Sequence, residues 1–178
     1  MSAPLIRPAT EADLPSIAAI YGEAVRSGSA TFEIDPPDLA EITARWRRLA
    51  ETGHPYLAAQ HGDQVVGFAH AGPYHARPAY RYAVEDSIYL HAAARGGGVG
   101  TALLTALIAE AEARSFRQMI ALIGDSANAP SIRLHARCGF EPVGIYRDVG
   151  WKHGRWLDVV LMQRALGESG TTPPRDRP

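Results

Sequence analysis

A cluster of glycines marks the part of this sequence that is best suited to hold an anion. The cluster consists of Arg95, Gly96, Gly97, Gly98, Val99, Gly100 and Thr101. Glycines leave backbone N–H groups unobstructed, and a helix that begins beside them adds partial positive charge at its first turn. Residues 95–101 therefore predict a phosphate-binding loop between a strand and a helix.

Two familiar glycine motifs do not account for this loop. A P-loop ends in Gly-Lys-Ser or Gly-Lys-Thr, whereas this loop ends in Gly100-Thr101 without a lysine. A dinucleotide fingerprint that starts at Gly96 needs a further glycine at the position of Thr101, and the preceding strand does not open a βαβ unit. ATP hydrolysis and dinucleotide binding are therefore disfavoured.

The remaining interpretation is the pattern (Arg/Gln)-x-x-Gly-x-(Gly/Ala), which Arg95, Gly98 and Gly100 satisfy. This pattern resembles the acetyl-CoA pyrophosphate signature of the GNAT superfamily of N-acetyltransferases. Residues 128–140 resemble the second half of the same fold, where Asn-x-x-Ser-x-x-Leu-(Tyr/His)-x-x-x-Gly-Phe leads from a helix into a strand. The order and the separation of the two segments agree with that family.

The resemblance implies an α+β domain with a mixed central sheet flanked by helices, with acetyl-CoA as co-substrate and no metal. It also implies contacts to acetyl-CoA from the strand before the glycine loop, from the loop and from the later helix. Besides the loop, those positions are Ile88, Tyr89, Leu90, Asn128 and Ser131. For Asn128 a second role stays open, which is capping of the helix that begins before Pro130.

Within the superfamily, residues 29–32, 72–90 and 151–159 are similar to phosphinothricin and methionine sulfoximine acetyltransferases, and the resemblance covers about residues 4–166. It implies transfer of acetyl to the amino group of a small amino-acid analogue such as phosphinothricin, methionine sulfoximine or methionine sulfone. Related sequences vary between residues 74 and 81. Another small amine or a protein N-terminus therefore stays open as the acceptor, and so does a non-catalytic acyl-CoA-binding sensor.

Acetyl transfer to an amine needs a base, because an α-amino group is largely protonated near neutral pH. Glu85 lies on the strand just before the glycine loop, where partial burial would raise its pKa, and the resemblance implies the same role. The alternative is an ion pair of Glu85 with Arg77 or Arg81. His135 stands where many relatives have a tyrosine that protonates or holds the departing thiolate, and histidine can donate a proton near pH 7. A packing role for His135 stays open.

An amino-acid-like acceptor needs a cation for its carboxylate or phosphinate, and an arginine side chain suits either group. The predicted substrate-binding residues are Phe32, Arg77, Tyr80, Arg81 and Glu85. The two arginines would meet the anion, while the two aromatic rings would form walls. For Lys152, the only lysine, and for His153, in the loop before the last strand, we expect a solvated hairpin turn. The alternative is that they approach the mouth of the same site.

Cys138 is the only cysteine, so the chain can form neither an intramolecular disulfide nor a cysteine-based zinc site. It follows His135 by three residues, which suggests a Cys–His nucleophile. Direct transfer in a ternary complex needs no acyl-enzyme, so we interpret Cys138 as a small buried hydrophobe. The histidines show no spacing typical of a metal site.

Hydrophobic periodicity predicts the elements that position these residues. Helices are predicted over about 14–25, 39–50, 101–114 and 129–137, with Thr10 as the N-cap of the first. Strands are predicted over 5–8, 56–60, 64–71, 80–91, 118–124, 143–149 and 156–163. Runs of strands with inserted helices and no regular βαβ repetition indicate an α+β or mixed-sheet domain.

The composition fits one globular domain, with 178 residues of which 46% are hydrophobic and 21% charged. The domain is predicted over 1–166, with a flexible polar tail at 167–178. A net charge of −1 disfavours nucleic acid or an anionic membrane as a partner. Neither a signal peptide nor a membrane span is predicted, so a cytoplasmic location is expected. The family resemblance implies a homodimer.

Overall fold

The computed structural model describes residues 4–174, which form one seven-stranded sheet with helices on both faces. The strands are β1 (Leu5–Pro8), β2 (Tyr56–His61), β3 (Gln64–Pro73), β4 (Ala83–Leu90), β5 (Gln118–Gly124), β6 (Glu141–Lys152) and β7 (Arg155–Ala165). The helices are α1 (Leu14–Ser27), α2 (Leu39–Glu51), α3 (Val99–Ala113) and α4 (Ala129–Arg137). The predicted α+β class with a mixed sheet is confirmed.

The sheet has the strand order β1-β2-β3-β4-β5-β7-β6, and only the β4–β5 pair is parallel. That parallel pairing runs from Ala83 with Gln118 to Asp86 with Ala121. Beyond it, β4 continues alongside β3 to Leu90, and β5 continues alongside β7. The sheet therefore splits between β4 and β5 after Asp86. Backbone groups on the two facing edges point into the gap, where a ligand can satisfy them.

The two faces of the sheet bury different helices, because successive side chains of a strand point to opposite faces. Leu57 of β2 packs in the cluster that holds the apolar residues of α3. Its neighbour Ala58 packs in the cluster that holds Leu14 and Ile17 of α1 and Ile42 of α2. Helices α1 and α2 thus cover one face, while α3 and α4 cover the other.

Several element boundaries differ from the predictions, among them those of β6, which is predicted over 143–149 and extends over Glu141–Lys152. The strand predicted from Tyr80 begins at Ala83, because Pro78 starts a short 3₁₀ helix, Pro78–Tyr80, whose geometry the proline ring favours. Helix α3 begins at Val99, since Gly98 is its N-cap in the left-handed conformation. Thr10 caps a short 3₁₀ helix, Glu11–Asp13, that precedes α1. The helix predicted over 129–137 is confirmed as α4.

The domain boundary at residue 166 stays a prediction. Within the predicted tail, the Gln118 side chain donates a hydrogen bond to the Ser169 hydroxyl at 2.6 Å, and residues 175–178 lie outside the described residues. Among residues 4–174, no helix is both long and apolar enough to cross a bilayer.

Candidate active site

A cavity of about 330 Å³ opens where β4 and β5 separate. Its wall combines the end of β4, the end of β5, the inner side of α4 and the loop after α1. The predicted site residues in this wall are Phe32, Glu85, Ile88, Tyr89, Asn128, Ser131 and His135. The split of the sheet therefore brings together residues that are up to about a hundred positions apart in the sequence.

Glu85 is a half-buried carboxyl group in the cavity wall. Burial, and then the negative charge of Asp86, raise its pKa to about 7. No salt bridge between residues 4 and 174 involves Glu85, so the alternative of an ion pair with Arg77 or Arg81 is not observed. A carboxylate with this pKa is partly ionised at neutral pH and is basic enough to accept a proton from an amine.

His135 is 2% exposed, and both of its ring nitrogens have partners. Its Nδ1 lies 2.8 Å from the carbonyl oxygen of Ser131, which can only accept, so Nδ1 carries a proton. Its Nε2 lies 3.0 Å from Oδ2 of Asp86. Burial lowers the pKa of His135, but the hydrogen bond and charge of Asp86 outweigh it, so the pKa is raised above its ordinary value.

Asp86 is a site residue that sequence reasoning missed. It is 7% exposed, it lines the cavity, and its Oδ1 is buried without a hydrogen-bond partner among the described residues. Alternation along β4 places Asp86 on the face opposite to Glu85, the face that α4 covers. The sequence shows this alternation. It does not show that Asp86 pairs with His135 of α4, because the two residues are 49 positions apart.

The glycine loop lies outside the cavity wall, at the exposed N-terminus of α3. Gly96 and Gly98 have φ of +79° and +84°, and a Cβ at either position would point into open space. Gly100 differs, because a Cβ there would lie 3.3 Å from Leu134 of α4. Unobstructed backbone at the start of a 15-residue helix fits a pyrophosphate group. Arg95 is exposed beside it and donates to the carbonyl of Leu90 at 3.4 Å.

Asn128 caps α4, while its contact to acetyl-CoA stays a prediction. Its side chain accepts a hydrogen bond from the backbone N–H of Ser131 at 3.4 Å and so caps α4. It also lines the cavity. Helix capping thus fixes an amide group in the wall.

The structure separates the predicted substrate-binding residues. Phe32 and Glu85 line the cavity. The other three, Arg77, Tyr80 and Arg81, are exposed on the segment before β4 and line neither this cavity nor a second cavity that adjoins it. The Tyr80 ring packs against the rings of Tyr74 and His75, at centroid distances of 5.7 and 5.1 Å. The guanidinium of Arg81 lies 4.5 Å from the centroid of the Tyr82 ring.

A second cavity of about 630 Å³ shares Tyr21, Ser87 and Tyr89 with the first. Two arginines of α2 reach its wall. Arg45 is already paired with Glu33 and Glu41. The other arginine is Arg48, and the wall also includes Tyr56, Phe68, His70, Tyr74 and His75.

The prediction that Lys152 lies in a solvated turn is wrong. Lys152 is 4% exposed and donates a hydrogen bond from Nζ to the carbonyl oxygen of Thr31 at 2.8 Å. Its partner precedes it by 121 residues, so no local pattern indicates the burial. Cys138 is buried in the core as predicted and does not line the cavity. Residues 4–174 contain no group of three or more His, Cys, Asp or Glu side chains that could hold a metal ion.

The fold and the cavity define an acetyltransferase of the GNAT class. Residues 17–140 match the family described as "Acetyltransferase (GNAT) family", and the chain belongs to this family. It is an acetyl-CoA-dependent N-acetyltransferase. This result confirms the family resemblance seen in residues 95–101 and 128–140.

Relatives cover almost the whole chain. A phosphinothricin N-acetyltransferase of Alcaligenes faecalis is 47% identical over 95% of this chain and 86% of its own length. An L-methionine sulfoximine/L-methionine sulfone acetyltransferase of Pseudomonas paraeruginosa is 42% identical over 94% of this chain and 98% of its own. The crystal structure of a phosphinothricin acetyltransferase from Sinorhizobium meliloti with acetyl-CoA is 46% identical and superimposes with a TM-score of 0.95, covering 98% of this chain and 95% of that one.

Proposed function

We propose that the protein transfers acetyl from acetyl-CoA to the amino group of a small amino-acid analogue of the phosphinothricin or methionine sulfoximine type. The observation that carries this proposal is Glu85, a half-buried carboxyl with a pKa of about 7 in a cavity of about 330 Å³. A cavity of this size can admit a small acceptor. Relatives that act on such acceptors, by their names, cover nearly the whole chain.

In the proposed mechanism, the chain binds both substrates and moves two protons. Acetyl-CoA supplies the acetyl group as a thioester. The glycine loop and the exposed edges of β4 and β5 hold the pyrophosphate and the pantetheine arm, and Asn128 and Ser131 lie beside that arm. Glu85 accepts a proton from the ammonium group of the acceptor, and the neutral amine then attacks the thioester carbonyl, so that a C–N bond forms as the C–S bond breaks. The pair formed by His135 and Asp86 holds the proton that the departing sulfur takes up. No side chain of the cavity wall acts as an acyl carrier.

The anionic end of the acceptor needs a cation near the cavity mouth. Arg77 and Arg81 remain our candidates, because they lie on the segment whose Tyr74 and His75 line the second cavity. Arg48 of α2 is a further candidate, since it lines that cavity. Phe32 and Tyr80 would contribute apolar contacts.

We further propose that the protein is a cytoplasmic homodimer. Strand β6 forms one edge of the sheet. The large exposed apolar side chains of the β6–β7 hairpin are Val143, Ile145, Tyr146, Val149, Trp151 and Trp156. A row of this kind on an edge strand is typical of an interface, and a second copy would cover it. Sedimentation that gives the mass of two chains would support this proposal, and a single-chain mass would contradict it.

The experiment that tests the proposed function measures release of CoA thiol from acetyl-CoA with a panel of amines. The panel contains phosphinothricin, methionine sulfoximine, methionine sulfone, unmodified amino acids and a peptide with a free N-terminus. We expect the highest kcat/KM with the first three compounds. Preferred acetylation of the peptide would contradict the proposed acceptor. Thermal stabilisation by acetyl-CoA without thiol release for any amine would indicate a non-catalytic acyl-CoA sensor instead.

A further inference from the structure

We propose that Lys152 is a positioning residue for the acceptor. In this proposal the β6–β7 hairpin holds two residues of the cavity wall in place: Lys152 binds the backbone of Thr31, and Gly150 packs against the ring of Phe32. The inference rests on the proposed function, because the substrate that these residues would contact is the amine. It assigns a role to the only lysine of the chain, which the mechanism above does not use.

The hairpin is tied to the loop after α1 by two side-chain donors. Nζ of Lys152 donates to the carbonyl oxygen of Thr31 at 2.8 Å, and Nε2 of His153 donates to the carbonyl oxygen of Gly28 at 3.2 Å. The first bond is buried and its donor is charged, and such hydrogen bonds are stronger than neutral ones. Burial lowers the pKa of Lys152, and the charge of Glu33 offsets this only in part.

The loop is also held from the side of α1. The hydroxyl groups of Tyr21 and Thr31 are hydrogen-bonded at 3.0 Å in a buried position. Both residues line the cavity beside Glu85. Thr31 is therefore fixed through its backbone by the hairpin and through its side chain by α1. Loss of either bond leaves a buried polar atom without a partner, which favours a shift of the loop.

Two glycines provide the surface on which the loop rests. A Cβ at Gly150 of β6 would overlap the Phe32 ring, and a Cβ at Gly124 of β5 would overlap the carbonyl oxygen of Ser29. Neither glycine has a positive φ, so close approach, and not backbone conformation, requires a glycine at these positions. The Phe32 ring thus lies directly against the backbone of β6, two residues before Lys152.

These contacts lie away from the pyrophosphate loop. The loop at residues 95–101 belongs to the N-terminus of α3, and the contacts of Lys152 and Gly150 reach only the loop after α1. Disturbing the hairpin should therefore weaken acceptor binding and leave acetyl-CoA binding unchanged. A residue needed only for folding would affect both substrates together.

The test measures KM for both substrates in Lys152→Met and Gly150→Ala. Lys152→Met keeps the apolar length of the side chain and removes the donor. We expect KM for the acceptor to rise about tenfold in Lys152→Met, as the loss of one buried charge-assisted bond implies. A rise of similar size is expected in Gly150→Ala, because a Cβ there overlaps the Phe32 ring and displaces it. KM for acetyl-CoA should stay within about twofold of the wild-type value.

Two matched controls accompany these variants. Gly170→Ala changes an exposed glycine outside the sheet, where a Cβ would meet nothing within 4 Å, and Arg47→Met removes an exposed cation of α2. Both controls should behave as wild type. An unchanged acceptor KM in Lys152→Met and Gly150→Ala, or a parallel rise of both KM values, would overturn the inference. If the wild type itself acetylates none of the amines, the proposed function fails instead, and the two failures are distinguishable.

Discussion

The proposed cofactor side and the proposed acceptor side of the active site are built in different ways. The proposed cofactor side depends on one contiguous segment, residues 95–101, whose last three residues form the start of α3. The acceptor side is assembled from distant parts of the chain, since Phe32 rests on Gly150 and Thr31 is held by Lys152. A binding function carried by backbone geometry can thus be local, whereas a shaped wall for a small acceptor needs tertiary contacts.

The largest effect is expected at Glu85, which lies between the two sides. Glu85→Gln should lower kcat by a factor of about 100 to 1,000, because the glutamine amide cannot accept a proton. The affinities for acetyl-CoA and for the acceptor should change little, since the size of the side chain is kept. Steady-state kinetics with both substrates measures this.

The pH dependence of kcat provides a second test of the role of Glu85. Wild-type kcat should rise as pH increases through about 7, because Glu85 must be ionised to act as the base. Glu85→Gln should lose this rise, while Glu51→Gln, an exposed position at the end of α2, should keep it. Loss of acetyl-CoA binding with an unchanged pH profile would instead give Glu85 a structural role.

The next largest effect is expected at Gly98 and would test whether the cofactor side acts independently. Gly98→Val places a side chain where the pyrophosphate would lie and strains a residue with φ of +84°. We expect the affinity for acetyl-CoA to fall about 100-fold, as the loss of an anion site of this kind implies. Calorimetric titration with acetyl-CoA measures this directly.

A matched control, Gly62→Val, distinguishes backbone strain at a positive φ from obstruction of the pyrophosphate by the new side chain. Gly62 lies in the β2–β3 turn with φ of +59°, and a Cβ there would meet nothing within 4 Å. Gly62→Val should lose a similar amount of stability, about 1–3 kcal/mol, without loss of acetyl-CoA affinity. If both variants bind acetyl-CoA as the wild type does, the loop is not the pyrophosphate site.

The same contrast explains what the sequence can predict. The glycine loop, α4 and the strand that carries Glu85 follow from local signals, namely turn chemistry, capping at Asn128 and periodicity. The burial of Lys152 does not follow, because a charged residue beside Gly154 has the local pattern of a solvated turn. The start of β4 at Ala83 does not follow either, since Pro78 starts a short 3₁₀ helix where alternation suggests a strand from Tyr80.

A third prediction concerns Asp86, whose charge acts on both the proposed base, Glu85, and the proposed proton donor, His135. Asp86→Asn keeps a hydrogen-bond acceptor for Nε2 of His135 but removes the negative charge. The charge of Asp86 raises the pKa of Glu85 and of His135, so both pKa values should fall in the variant. In the wild type, kcat should rise as Glu85 ionises and decline at higher pH as His135 loses its proton. In Asp86→Asn, both the rise and the decline should move to lower pH.

The measurement is a pH profile of kcat together with NMR titration of the His135 ring. Asp86 is the charged residue that acts on each of the two groups, so the direction of both shifts has one cause. Asp63→Asn, in the exposed β2–β3 turn, should leave the profile unchanged. A uniform fall in kcat at every pH, with no shift, would make Asp86 a packing residue and would leave the two protons uncoupled.

The smallest effect is expected at Cys138, which belongs to neither side of the site. It is 9% exposed, packs in the core beneath α3, and does not line the cavity. Cys138→Ala removes one sulfur atom and should lower the free energy of unfolding by about 1 kcal/mol. The activity should stay within about twofold of wild type, because attack by the amine on the thioester needs no enzyme nucleophile.

Mass spectrometry of the wild type after incubation with acetyl-CoA alone tests whether Cys138 carries the acetyl group. An acetyl group on Cys138, together with inactivity of Cys138→Ala, would replace direct transfer with a two-step route and would require the core around α4 to open during each turnover.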